Sequence, residues 1–179
     1  NKLETLLVTL DAGVFSTSGD YLSNEPAFIT PWIYSWLGEP NRTTATIDRV
    51  RTQLFANSPG GLQGNDDLGA LSADYVWSSL GLYPAIYGRS EMLEAAPAFE
   101  SVQIHSLGSS RAIAISAPGA STKRSVTSTK VDGVESSRSW LPESFARNGG
   151  TLEFTLGETT TSWGTGAGNI PPSFDQGTN

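Results

Sequence analysis

The sequence has 179 residues, 11 Lys and Arg against 18 Asp and Glu, a formal charge of −7, one histidine and no cysteine. An acidic chain whose basic residues are scattered argues against a nucleic-acid or anionic-membrane partner and leaves neutral substrates such as sugars open. The absence of cysteine excludes a disulfide framework and thiolate metal sites, and His105 alone excludes a multi-histidine metal site. No run approaches the roughly 18 apolar residues of a membrane helix, and the opening NKLETLLVTL does not read as a signal peptide.

In chain order, Leu3, Leu6, Leu7, Leu10 and Val14 follow helical spacing, with Gly13 marking the end. Asn24 or Glu25 is placed to cap a second helix with Pro26 in its first turn. Its stripe is Phe28, Ile29, Trp32, Ile33, Trp36 and Leu37, and Gly38 stops it. Asn41-Arg42-Thr43 is an N-glycosylation sequon in the following turn, the one address clue toward a secreted protein. A third helix is predicted from Thr43 to Phe55, with Ile47, Val50, Leu54 and Phe55 inward and Arg49 and Arg51 outward. A fourth runs from Gly69 to Leu80, ended by Gly81 and Pro84; after its acidic loop, Leu68, Leu71, Tyr75 and Val76 suggest the edge of a core.

Near residue 98 the period drops to two. Ser101–His105, Ala112–Ile115, Ser125–Val131 and Thr151–Leu156 read as strands, with turns at Asp132-Gly133 and Asn148-Gly149-Gly150. The organisation expected is thus helices over 1–97, an antiparallel sheet region over 98–164 and a coil tail over 165–179, without an internal repeat.

Two polar constellations sit at helix starts: Ser23-Asn24-Glu25-Pro26, and Asn65-Asp66-Asp67 framed by Gly64 and Gly69. Capping explains one carboxylate or amide at each place, through orphan N–H groups and the helix dipole. Three consecutive polar side chains between glycines exceed that need. His105, in an alternating strand, reads as an exposed strand residue rather than a catalytic base. Carboxylates acting alone serve glycoside hydrolysis or bind a hard cation such as calcium. The Asp66-Asp67 spacing does not fit an EF-hand loop. Trp32, Trp36, Trp77, Tyr34 and Tyr75 are candidates for sugar stacking or, falling on apolar stripes, for the core.

NEP, an aromatic-rich segment, GLQGNDDLGALSADYVWSSLGLYP, GGTLEFTLG and a final SWG together resemble the C-terminal part of glycoside hydrolase family 92, the exo-acting, calcium-dependent α-mannosidases. The resemblance spans roughly residues 3 to 164. It implies a mixed α and β fold: the last helices of an (α/α)6 toroid followed by a small antiparallel β-sheet domain, in a fragment of a larger enzyme. It further implies inverting hydrolysis of terminal α-mannosides, with α-1,2 linkage the first expectation. Asp67 is the closest match to the general base, with Asp66 its neighbour. Asn24, Glu25 and Asn65 map to the substrate environment, and Glu25 and Asp66 are the calcium candidates. The chain departs from the family pattern at Asn65, where some members have a carboxylate, and at Ala27 and Phe28, which replace a histidine pair. Ala70 and Asp74 stand where the GQMSAW form has Gln and Trp.

The general acid carries no motif here, so the resemblance implies an N-terminal chain of the same enzyme as partner. A mannose-containing oligosaccharide or N-glycan is the implied substrate and Ca²⁺ the implied cofactor. The broad helical stripes also predict that the chain alone aggregates or stays partly unfolded. Two other readings stay open: a carbohydrate-binding module with structural calcium and no catalysis, and a structural domain whose acids are only caps.

Overall fold

A computed structural model describes residues 2–16, 18–105 and 111–173. The first predicted helix is cut short. Helix α1 (Lys2–Leu6) ends where the returning loop takes its carbonyls: the Asp20 N–H donates to Leu6 O at 3.2 Å and Thr9 O at 2.9 Å. The second predicted helix is two 3₁₀ turns, Glu25–Ala27 and Thr30–Ser35. Pro26 and Pro31 are the reason, since each lacks the N–H and crowds the carbonyl that a continuous α-helix requires.

Helix α2 (Pro40–Gln53) starts three residues before the predicted Thr43, with Pro40 in the first turn where its missing N–H costs nothing. Its inward face is Thr43, Ile47, Val50 and Arg51. Arg51, expected outward, is buried instead, donating to Ser78 O at 2.7 Å, Ala96 O at 3.0 Å and Asp48 Oδ1 at 3.2 Å. These acceptors satisfy a guanidinium that the sequence pattern treats as solvated. Helix α3 (Ala70–Leu80) lies between two left-handed glycines, Gly69 at φ 94° and Gly81 at φ 72°, and matches the predicted helix to within a residue. Its buried side is Leu71, Asp74 and Ser78. Tyr75 and Val76, expected at the core, are exposed, as is Leu68; Tyr75 packs on Phe55 with ring centroids 4.9 Å apart.

Strands β1 (Leu82–Tyr83), β2 (Met92–Glu94) and β7 (Trp140–Leu141) form a small antiparallel sheet in the order β1-β2-β7. A larger sheet, ordered β3-β4-β8-β5-β6, comprises β3 (Ser101–His105), β4 (Ala112–Ser116), β5 (Ser125–Val131), β6 (Val134–Ser136) and β8 (Gly150–Gly157). Its pairs are antiparallel except β4 with β8, which run parallel; helix α4 (Glu143–Asn148) leads into β8. The fold is therefore mixed α and β, as expected. Packing runs across residue 98: Leu82 and Ala96 share one core with Ile115, Val126, Leu152 and Phe154. His105 is exposed on β3, as its alternation predicts.

The expected coil after the sheet is irregular but not loose. Trp163 is buried against the sheet, Asn41 Nδ2 donates to Thr161 O at 2.9 Å, Ser139 N to Asn169 O at 3.1 Å, and Trp36 Nε1 to Pro172 O at 3.1 Å. Residues 159–172 thus form a strap between the larger sheet and the start of α2. Residues 174–179, the end of the predicted tail, lie outside the described residues.

Candidate active site

The two polar constellations meet because the loops carrying them are tied together. Ser23 Oγ donates to Asp11 Oδ1 and Oδ2 at 2.9 and 2.8 Å, fixing the turn before Glu25. Gln63 Nε2 donates to Leu22 O at 3.1 Å, and a β-carbon on residue 64 would lie 2.8 Å from the Ser23 Cβ. Glycine at 64 is what lets the acidic loop touch the NEP segment.

Within the acidic loop the two aspartates divide the work. Asp66 is the cap: its Oδ1 accepts from Ser72 N at 2.9 Å and its carbonyl from Gly69 N at 3.1 Å and Ala70 N at 2.7 Å. Asp67, Leu68 and Gly69 follow at φ 45°, 59° and 94°, three consecutive left-handed residues. That conformation is uncommon for residues with a β-carbon, and most costly at Leu68. It carries the Asp67 carboxyl away from the helix end, where it is exposed and within hydrogen-bond reach of Glu25. The Asp67 carboxyl is held above the ordinary carboxylate range, first by partial loss of hydration, then by the charge of Glu25 and a hydrogen bond with it, and last by Asp66.

Asn65 is exposed at the loop tip and Asn24 is half-buried. The expected side-chain cap from Asn24 is not formed; its carbonyl instead accepts from Ala27 N at 3.0 Å. Among the described residues no group of three or more His, Cys, Asp or Glu is placed to hold a metal ion. Of the calcium candidates, Asp66 has one oxygen committed to its cap, and Glu25 faces Asp67. Glu25 and Asp67 offer the oxygen chemistry calcium takes, but only part of its six to eight ligands.

Glu25 also borders a cavity of about 200 Å³ between the NEP segment and α3, where Phe28, Asp74, Trp77 and Tyr87 line the wall. Of the aromatic candidates, Trp32 is buried and stacks on Tyr83 at 5.1 Å, and Tyr34 is buried. Only Trp77 reaches this cavity. Asp74, which the motif comparison marks merely as a departure, is the site residue the sequence reading passed over. The available signal is a carboxylate three residues after Leu71 on the buried face of α3.

The sequence model of the family described as "Glycosyl hydrolase family 92 catalytic domain" matches residues 4–158. The chain belongs to glycosyl hydrolase family 92. A secreted glycosidase of Arthroderma benhamiae, itself described as uncharacterized, is 31% identical over 160 residues, which are 88% of this chain and 21% of that protein. The family GH92 α-mannosidase BT3965 of Bacteroides thetaiotaomicron superimposes with a TM-score of 0.86 at 24% identity, over 96% of this chain and 23% of that one. That structure has also been described in complex with mannoimidazole. The family GH92 inverting mannosidase BT2199 of Bacteroides thetaiotaomicron VPI-5482 gives a TM-score of 0.77 at 27% identity, over 85% of this chain and 21% of that one. This family 92 chain therefore spans between a fifth and a quarter of the relatives it matches. No helix among the described residues is long and apolar enough to cross a membrane.

Proposed function

We propose that this family 92 chain forms the general-base side of the active site of an exo-acting, inverting α-mannosidase that removes terminal, α-1,2-linked mannose. The observation that carries the reading is the Asp67 carboxyl, turned out of the helix cap by a left-handed backbone, raised in basicity and facing Glu25. In the reaction, Asp67 accepts a proton from the water that attacks the anomeric carbon, and the raised affinity for protons suits a base. Inverting hydrolysis separates its two carboxyls by about 6.5–9.5 Å to admit that water. Glu25, within hydrogen-bond reach of Asp67, stands too close to be the acid. This supports assigning the proton donor to the remainder of the enzyme, the N-terminal portion that completes an (α/α)6 toroid.

Glu25 then binds sugar hydroxyls, together with Asn24 and Asn65, and it is the residue of this chain that would contribute to holding calcium alongside oxygens from elsewhere. Calcium, when bound, supplies a hard positive charge that orients the sugar hydroxyls. The relative named a secreted glycosidase supports a secreted enzyme acting on a mannose-containing glycan. A glycan on Asn41 belongs to the same reading; the sequon lies in the first turn of α2 rather than in the turn before it.

In the full-length enzyme, Asp67→Asn is expected to lower kcat on an α-mannoside by about 10²–10⁴-fold with the melting temperature unchanged. Asp66→Asn is expected to act mainly on stability, by about 0.5–2 kcal/mol at most, as a cap substitution. Near-full turnover of Asp67→Asn overturns the assignment. Incubation with a calcium chelator is expected to abolish activity, and added calcium to restore it.

A further inference from the structure

Asp74 lies on the buried face of α3, 5% exposed, and its side chain makes no hydrogen bond to any described residue. Burial alone, with no cation beside it, pushes its carboxyl up to about 7. An unpaired carboxyl so placed costs stability and repacks readily as an apolar residue, so its position calls for another explanation. Its surroundings supply one. It opens on the cavity of about 200 Å³ that Glu25 also borders, across from Phe28, with Trp77 and Tyr87 as further walls. Aromatic faces around a few convergent polar groups are the usual makings of a sugar subsite, and this one has room for a single ring rather than an oligosaccharide. The side chain of Asp74 has no protein hydrogen bond to give up to such a ring, and an undissociated carboxyl donates as well as accepts.

We infer that Asp74 is a specificity-determining residue that hydrogen-bonds a hydroxyl of a sugar ring seated in this cavity beside Glu25. The inference rests on the proposed glycosidase reading but is separable from it. Buried polar groups built to pair with a substrate hydroxyl discriminate strongly against the analogue that lacks it, because they are then left unpaired.

The test uses the full-length protein, with methyl α-mannoside and its monodeoxy analogues as probes and calorimetric titration as the readout. Asp74→Leu, of similar volume, is expected to weaken binding of methyl α-mannoside by about tenfold or more. One deoxy analogue is expected to bind the unmodified protein as weakly as Asp74→Leu binds the parent sugar, and to lose nothing further in the variant. Unchanged binding of every probe by Asp74→Leu overturns the inference. Should that variant fail to fold, Asp74→Asn decides: a change of about threefold or more in the ratio of parent to deoxy-sugar affinity supports the contact, and an identical ratio overturns it. The two readings fail differently. Lost sugar binding in a protein that hydrolyses no α-mannoside keeps the subsite and removes the mannosidase. Undiminished sugar binding in an active Asp74→Leu enzyme does the reverse.

Discussion

Glu94 is fully buried on β2, opposite Leu82, and neither carboxylate oxygen has a hydrogen-bond partner among the described residues. Burial pushes its carboxyl from the ordinary 4.5 to about 8. The folded state therefore holds a proton that the unfolded chain has released. Its contribution to stability is intact below pH 4.5 and is lost as the pH rises to about 8, at about 1.4 kcal/mol per pH unit. Glu94→Gln, which cannot ionise, is expected to leave the melting temperature near pH 4.5 almost unchanged and to raise it at pH 8 and above, checked by thermal melts across that range. A variant whose melting temperature stays parallel to the parent's at every pH removes the argument. Neither Glu94 nor Asp74 was legible as buried from the sequence. A charged residue in an alternating or helical run is read as the solvent side, and only the folded chain shows which side of β2 or α3 meets the other layer. Arg51 inverts the same expectation, but with backbone carbonyls to receive it.

Elements bounded by glycine were the most readable. Helix α3 was predicted almost residue for residue because Gly69 and Gly81 require left-handed backbone at both ends. The aromatic segment misled because its apolar spacing is helical while Pro31 sits inside it, and the covalent constraint of proline overrides periodicity. At the site, both constellations were visible, but the division between a capping Asp66 and a free Asp67 was not. Nor was the meeting of the two constellations, since it depends on the contact of Gly64 with Ser23. That contact makes a prediction at the level of the two loops. Gly64→Ala, by forcing them apart, is expected to cost about 1–3 kcal/mol of stability and to lower kcat on an α-mannoside, through displacement of Asp67 from Glu25. Unchanged turnover and melting temperature in Gly64→Ala would contradict the steric contact.

Over the whole molecule, three apolar cores are stacked rather than separate. Phe55 packs against two of them, and Trp77 against one of those two and the third. Outside these cores Phe15, Val14, Val8, Leu68 and Tyr87 remain 62 to 110% exposed. A chain with this surface is expected to self-associate when produced without the remainder of the enzyme, seen as concentration-dependent light scattering; a monomer at every concentration would contradict it. The match to the family 92 sequence model stops at residue 158, but the mechanical unit does not. Past that point the polypeptide fills the slot occupied by Trp163 and gives Asn41 and Trp36 their acceptors. Gly164, at φ 71°, passes where a methyl group would strike Pro40 at 2.7 Å and Ser139 at 2.9 Å. A protein trimmed at residue 158 loses the final SWG and, with it, the stitch between its layers.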